Sequence, residues 1–238
     1  MPSAASEQVK SPAKRKMRRT RKEHRLSTQP LNDAIIANAV DDLCRTEKRF
    51  RPIVDTYGLP SLRRGEEGLH GLLMIVTEQF LSLAAAQAIW LRLEAHLSPL
   101  NAKGVLAASD ADLLGLGLSN AKVKSFKGIA KAFAENPHFC AALHHHPDEE
   151  ARKALLGLPG IGPWSADIYL LSSMLRPDVF PVGDLALQAA AHHLFRLRAR
   201  PDAKRLHELS RNWQPWRAVA ARLLWSHYRG LKQIPQAK

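Results

Sequence analysis

The segment Leu158-Pro159-Gly160-Ile161-Gly162-Pro163-Trp164-Ser165-Ala166 holds two glycines on either side of one apolar residue. Glycine carries no Cβ and adopts positive φ readily, so such a turn can bring its backbone close to a ligand. Ile161 is placed to point into a core and pin the turn. Pro163 suits the first turn of a following helix, where its missing N–H leaves nothing unmet. The N–H groups at that helix start form an anion site. A helix–helix corner without a ligand would use the same residues, so the turn alone does not decide. Downstream, Asp184 follows Gly183 and precedes the apolar residues Leu185 and Leu187. On this pattern alone it reads as a helix N-cap.

The charge balance suggests which anion the turn would meet. Lys and Arg number 35 against 22 Asp and Glu, a formal net charge of +13. Such a surplus points to a polyanionic partner, and a DNA phosphate fits the turn. Residues 1–25 hold nine of the basic residues against Glu7 and Glu23. Almost no large apolar side chain accompanies them, so residues 1–30 cannot bury surface to offset their ordering entropy. They read as a disordered basic arm, either a tether for phosphates whose grip weakens with salt or a solubilising tail. The arm lacks the apolar stretch of a secretory signal but shares its Arg richness with organelle transit peptides. Two cysteines, Cys44 and Cys140, are too few for a disulfide scaffold, a Cys-rich zinc site or a four-cysteine iron–sulfur cluster. No apolar run reaches the ~18 residues needed to cross a bilayer.

Helices must position the turn and Asp184. Asn32 caps a helix running toward Leu43. Leu69, Leu72, Leu73, Val76 and Phe80 form a helical stripe over residues 66–80. Ser82 opens an Ala-rich helix that stops before Ser98-Pro99. Ser109 starts a short helix ending at Gly115-Leu116-Gly117. Ser119 caps the next, with Val123, Phe126, Ile129, Ala130 and Phe133 facing inward, and Asn136-Pro137 stops it. Further helices are expected over 148–156, 164–175, 183–195, 201–212 and 215–231. Alternating runs bounded by hairpin turns are missing, so the fold class is all-α, with residues 31–238 forming the helical domain and no fixed-period repeat.

Together, residues 158–166, Asp178-Val179-Phe180-Pro181 and Gly183-Asp184-Leu185 resemble the helix–hairpin–helix DNA glycosylases, and among them the 3-methyladenine DNA glycosylase II type. The likeness extends to Thr77-Glu78-Gln79-Phe80-Leu81-Ser82 with Ala84-Ala85, similar to that family's Gln-x-x-Ser helix junction. It includes Gly115-Leu116-Gly117-Leu118-Ser119 with Lys122, and the segment from Trp213 to Ala221. It covers residues 31–231, and the hairpin-to-aspartate spacing is its specific part. The resemblance implies a two-lobed fold with the active-site cleft between the lobes. It implies hydrolysis of the N-glycosidic bond of alkylated bases, of the 3-methyladenine and 7-methylguanine class, in duplex DNA during base excision repair.

The same resemblance assigns residue roles. Asp184 matches the essential catalytic aspartate. Breaking an N-glycosidic bond builds positive charge on the sugar, which a fixed carboxylate stabilises. At ~4 Å and an effective dielectric constant of about 20 the attraction is about 4 kcal/mol, about a thousandfold in rate. The carboxylate can also orient or deprotonate the attacking water. An N-alkylated purine is already cationic and leaves without a general acid, so one carboxylate suffices. Trp164 stands where endonuclease III-like relatives carry a Schiff-base lysine, which argues against a strand-nicking lyase step. Trp164 can stack on a flipped cationic base in the base pocket, worth about 0.5–2 kcal/mol, or it can anchor the core. Gly160, Ile161 and Gly162 would supply backbone contacts to a DNA phosphate. Gln79 and Phe80 stand where the family drives a wedge into the duplex, although Phe80 suits a core equally, and Glu78 departs from the double glutamine of many relatives.

Trp213, Trp216 and Arg217 either brace the last helix or line the pocket; bracing is the preferred reading, and Trp90 reads as core. His144-His145-His146 are adjacent on the chain and do not converge on one ion, so no metal is expected. No cofactor is required, and a monovalent cation at the hairpin carbonyls is a trait of the family that the sequence leaves open. The expected partner is double-stranded DNA carrying a damaged base, with no membrane and a monomeric enzyme. The expected location is the cytoplasm at the nucleoid for a bacterial chain, and the nucleus or an organelle otherwise. Two rivals stay open: a glycosylase for deaminated or mismatched bases, and a non-catalytic helix–hairpin–helix DNA-binding protein. Deleting residues 1–25 should flatten the dependence of log K on log salt for duplex DNA binding; an unchanged slope would show that the arm contributes no phosphate contacts.

Overall fold

Short polar side chains set the helix starts. Asn32 Oδ1 accepts the Ile35 N–H at 2.9 Å, Ser82 Oγ that of Ala85 at 3.2 Å, and Ser119 Oγ that of Lys122 at 3.4 Å. Ser109 and Asp112 exchange bonds in a reciprocal capping box. The computed structural model describes residues 29–233, so the basic arm expected at residues 1–30 lies almost wholly outside the described residues. The elements are α1 (Asp33–Thr46), α2 (Arg51–Tyr57), α3 (Gly68–Glu78), α4 (Leu83–His96), α5 (Ala102–Ala107), α6 (Asp110–Gly115), α7 (Asn120–Glu135), α8 (Phe139–Leu143) and α9 (Asp148–Leu156). They continue with α10 (Pro163–Ile168), α11 (Leu185–Leu194), α12 (Ala203–Ser210) and α13 (Arg217–Gln233). No strand occurs among the described residues, so the all-α class holds.

Two lobes share one buried apolar cluster. In the first, α3 packs on α4 and α7, α7 covers α5 and α6, and α10 leans on α3 and α9. In the second, α13 packs on α11, α1 and α2. The second lobe therefore joins the beginning of the described chain to its end. The Leu31 N–H donates to Leu175 O at 2.8 Å where the two lobes meet.

Two sequence expectations about element bounds change. The helix expected over 66–80 ends at Glu78, and Phe80 leaves it with φ +59°. The helix expected over 164–175 is α-helical only to Ile168 and continues as a π-helical turn, Tyr169–Ser173. There the Met174 N–H reaches back to Tyr169 O at 3.1 Å. Apolar spacing over a single turn does not separate the two winds. The short helices α2, α5 and α8 carry too few turns for periodicity to reveal them. The widened turn seats Tyr169, which is fully buried. Its hydroxyl accepts the Gly68 N–H at 2.8 Å and donates to Cys140 Sγ at 3.0 Å.

The bracing reading of the Trp213–Arg217 segment stands. Trp213 is buried between Phe50, Phe180 and Phe195, with ring centroids at 5.5, 5.5 and 5.7 Å. Trp216 Nε1 donates to Asp42 Oδ2 at 3.2 Å. Arg217 clasps both oxygens of Asp178 at 2.8 and 2.9 Å. This clasp ties the start of α13 to the loop leading to Asp184. Trp213→Ala should lower unfolding free energy by about 3–5 kcal/mol in urea titration; a loss below ~1 kcal/mol would mean the aromatic cluster relaxes around the void.

Candidate active site

The loop before α11 turns tightly, with Val182 N–H to Phe180 O and Asp184 N–H to Pro181 O, both 2.9 Å. Pro181 holds Phe180 extended. Asp184 then caps α11, its Oδ1 accepting the Leu187 N–H at 2.9 Å. The cap reading is correct, and it accounts for only one of three donors. Trp164 Nε1 donates to Asp184 Oδ2 at 2.9 Å, and Trp225 Nε1 donates to Oδ1 at 3.2 Å. A carboxylate offers about four acceptor positions, so a direction on Oδ2 remains open. The positive end of the α11 dipole meets the same group. Asp184 is half-buried and faces a cleft of ≈ 1040 Å³ between the lobes, which Trp164, Trp225, Trp90 and Glu78 also line. That volume exceeds an ordinary small-molecule pocket and accommodates a whole nucleotide.

Trp225 was not singled out from the sequence. It lies in α13 with buried Ala, Val and Leu around it, and only its indole N–H distinguished it. Trp90 is buried as expected, its ring edge-to-face with that of His70 at 4.8 Å between centroids, and it also lines the cleft.

The hairpin enters α10 through Gly160, Ile161 and Gly162. Gly160 has φ +77°, and a Cβ there would fall 1.9 Å from Ser125 Oγ. Ile161 is buried, as its spacing suggested, and its N–H donates to Leu158 O at 3.2 Å. None of the hydrogen bonds among the described residues uses the N–H of Gly160 or Gly162. The Gly162 N-cap has no side-chain bond across it, and Pro163 follows at the first helical position. The carbonyls of Leu158 and Gly160 each accept a protein donor; a monovalent cation at the hairpin would have to share them.

Gln79 and Phe80 occupy the turn between α3 and α4. Gln79 Nε2 donates to Gly160 O at 3.0 Å and to Ser165 Oγ at 2.8 Å, so its amide ties this turn to the hairpin. Lys122 Nζ donates to the carbonyls of Thr77 and Gln79 at 2.8 and 2.9 Å. Burial pushes the Lys122 pKa down. Between these ties Phe80 is fully exposed, which removes the core alternative. A non-glycine residue at such φ costs on the order of 1–2 kcal/mol, and the surrounding bonds hold it there. Leu81 and Leu83 extend the exposed apolar edge.

The histidine triplet diverges. His144 Nε2 meets Glu67 at 2.7 Å and His146 Nδ1 meets Glu150 at 3.2 Å. No group of three or more metal-type side chains converges among the described residues.

The two hairpin glycines should differ on substitution. Gly160→Ala meets both the Ser125 side chain and a strained φ, and should cost about 1–3 kcal/mol. Gly162→Ala finds nothing within 4 Å of its Cβ and should leave thermal stability within about 0.5 kcal/mol. Melting curves of the two variants check this; equal losses would remove the steric argument.

Known proteins share sequence and fold with this chain. A putative DNA-3-methyladenine glycosylase, YfjP of Bacillus subtilis (strain 168), is 32% identical over 114 residues, 48% of this chain and 40% of that protein. The chain thus spans less than half the length of that curated relative. DNA-3-methyladenine glycosylase 1 of Schizosaccharomyces pombe is 28% identical over 183 residues, 75% of this chain and 80% of that protein. A solved S. pombe 3-methyladenine DNA glycosylase in complex with abasic DNA superposes with a TM-score of 0.74 at 24% identity. It covers 84% of this chain and 100% of that one. The family profile described as "HhH-GPD superfamily base excision DNA repair protein" matches residues 73–215. With its hairpin, its caged aspartate and that match over more than half its length, the chain belongs to the HhH-GPD superfamily of base excision DNA repair proteins.

Proposed function

We propose that this protein is a monofunctional DNA glycosylase that hydrolyses the N-glycosidic bond of alkylated bases, of the 3-methyladenine and 7-methylguanine class, in duplex DNA. The observation that carries the reading is the Asp184 carboxylate, held by two indole N–H groups and a helix start inside an interlobe cleft. The names of the relatives support it. The Gly160 and Gly162 N–H groups and the start of α10 take a backbone phosphate. Phe80 enters the duplex and fills the space left by the extruded nucleotide.

In the cleft, the bond between C1′ and the base nitrogen breaks, and its electron pair leaves with the base. The alkylated base starts as a cation and departs neutral, so no acid need protonate it. Positive charge appears on the sugar, where Asp184 offers a fixed counter-charge that needs no reorganisation. Water adds to C1′ and loses its proton to Asp184 or to solvent. An abasic site and a free base result. Trp164 sits at the hairpin position where a lyase needs an amine, which supports hydrolysis without strand nicking.

The protein acts as a monomer on double-stranded DNA, without a cofactor, in the nucleoid-bearing cytoplasm of a bacterial cell or in a nucleus or organelle. No described helix is long and apolar enough to cross a membrane.

Release of free base from methylated duplex DNA tests the reading. Asp184→Asn should lower the single-turnover rate by about a thousandfold while affinity for an abasic duplex persists. Activity within about threefold of wild type would overturn the role of the carboxylate. No release by the wild-type protein, with release from deaminated or mismatched substrates, would move the substrate class; release from none would leave a DNA-binding module.

A further inference from the structure

Asp184 is not the only carboxylate in the cleft. Glu78 ends α3 and lines the same cavity, half-buried. Its neighbour Gln79 is bonded to Ser165, the residue after Trp164, which ties the end of α3 to α10, and Glu78 and Trp164 line the same cleft. No cation or donor among the described residues meets its carboxylate, and burial alone acts on it, pushing its pKa up.

Most charged groups that line the cleft have other partners, and Arg63, which lines it too, forms no ion pair with Glu78 among the described residues. On its own helix, His70 Nε2 meets Glu94 of α4 at 2.9 Å. Its Nδ1 lies 3.0 Å from Glu66 without hydrogen-bond alignment. Lys122 of α7 spends its ammonium on the Thr77 and Gln79 carbonyls. Across the cleft, Asp184 of α11 is caged by its indoles, Arg222 of α13 donates to the Ser61 and Leu171 carbonyls, and Arg229 donates to Ser226. A half-buried carboxylate with no partner is left with a desolvation cost that an incoming cation would offset.

We propose that Glu78 is the counter-ion of the damaged base, a specificity-determining residue that selects bases already carrying positive charge. The proposal rests on the glycosylase reading above and deepens it. N-alkylation puts a formal charge on the purine ring, and the ring enters the cavity where Glu78 waits unpaired. The two carboxylates then serve successive locations of one charge. Glu78 meets it on the base before the bond breaks, and Asp184 meets it on the sugar as the bond breaks. Stabilising the charge on the base favours capture more than it favours the transition state, where that charge has begun to leave. Glu78 therefore acts on saturation and Asp184 on maximal rate.

The test is single-turnover release of 7-methylguanine from a duplex, with enzyme in excess, in wild-type protein, Glu78→Gln and Asp184→Asn. Binding to a duplex with a neutral abasic analogue is measured alongside. Glu78→Gln should raise the half-saturating enzyme concentration about tenfold to a hundredfold, with the maximal rate unchanged or raised. Affinity for the abasic duplex should not move, because no base is present. Gln keeps the shape and removes an unpaired charge, so the melting temperature should be equal or higher. A parallel loss on the abasic duplex would assign Glu78 to holding the Phe80 turn, and the proposal would fall. It would fall equally if half-saturation did not move, or if only the maximal rate dropped. Failure of the wild-type protein to release any base appears in its own arm and overturns the glycosylase reading, and this proposal with it.

Discussion

The site depends on one carboxylate whose donors come from different parts of the fold. Trp164 reaches Asp184 from α10 in the first lobe, Trp225 from α13 in the second, and the Leu187 N–H from α11 itself. A charge held by converging N–H dipoles is fixed in position before any substrate arrives, which makes it useful to a short-lived cation. The same bonds make the geometry conditional. If either lobe shifts, an indole leaves and the carboxylate is free to rotate. The Arg217–Asp178 clasp and the aromatic cluster around Trp213 limit that shift by fixing α13 against the loop that delivers Asp184.

The Phe80 turn follows a related logic on the other side of the cleft. Lys122 holds its carbonyls and Gln79 holds the hairpin, so an exposed aromatic ring at positive φ is kept at a fixed place relative to Gly160. The apolar edge of Phe80, Leu81 and Leu83 has no protein to cover it among the described residues. Strain and exposure are stored where, on the proposed reading, the duplex would be opened. The element that would open the duplex and the hairpin that would grip its backbone are thus joined by Gln79.

Local chemistry was legible in the sequence, and tertiary chemistry was not. The hairpin could be read because two glycines, an isoleucine and a proline act within one turn, and Asp184 because a cap acts over three residues. The helix starts at Asn32, Ser82, Ser109 and Ser119 were readable for the same reason. Trp225 was missed because its meaning lies in a partner far away in the chain. Gln79 was placed correctly at the junction, but its bonds to Gly160 and Ser165 became visible only in three dimensions. The π turn after Ile168 was hidden because its apolar positions also satisfy an α-helical stripe over so short a run. The bland reading of Phe80 failed because hydrophobic periodicity cannot distinguish a residue turned inward from one ejected at a helix end.

The way the lobes use the chain has a consequence for folding order. The first lobe is contiguous from α3 to α10, whereas the second needs α1 and α2 from one end and α11 to α13 from the other. Sequence-local contacts form early, and contacts between chain ends wait for loop closure. A growing chain can thus assemble the hairpin and the Phe80 turn while α13 is still unmade. Trp225 follows every other member of the cage in the sequence, so the carboxylate cage is completed only once α13 has been made. Until then the chain has its hairpin and its Phe80 turn but no finished carboxylate cage.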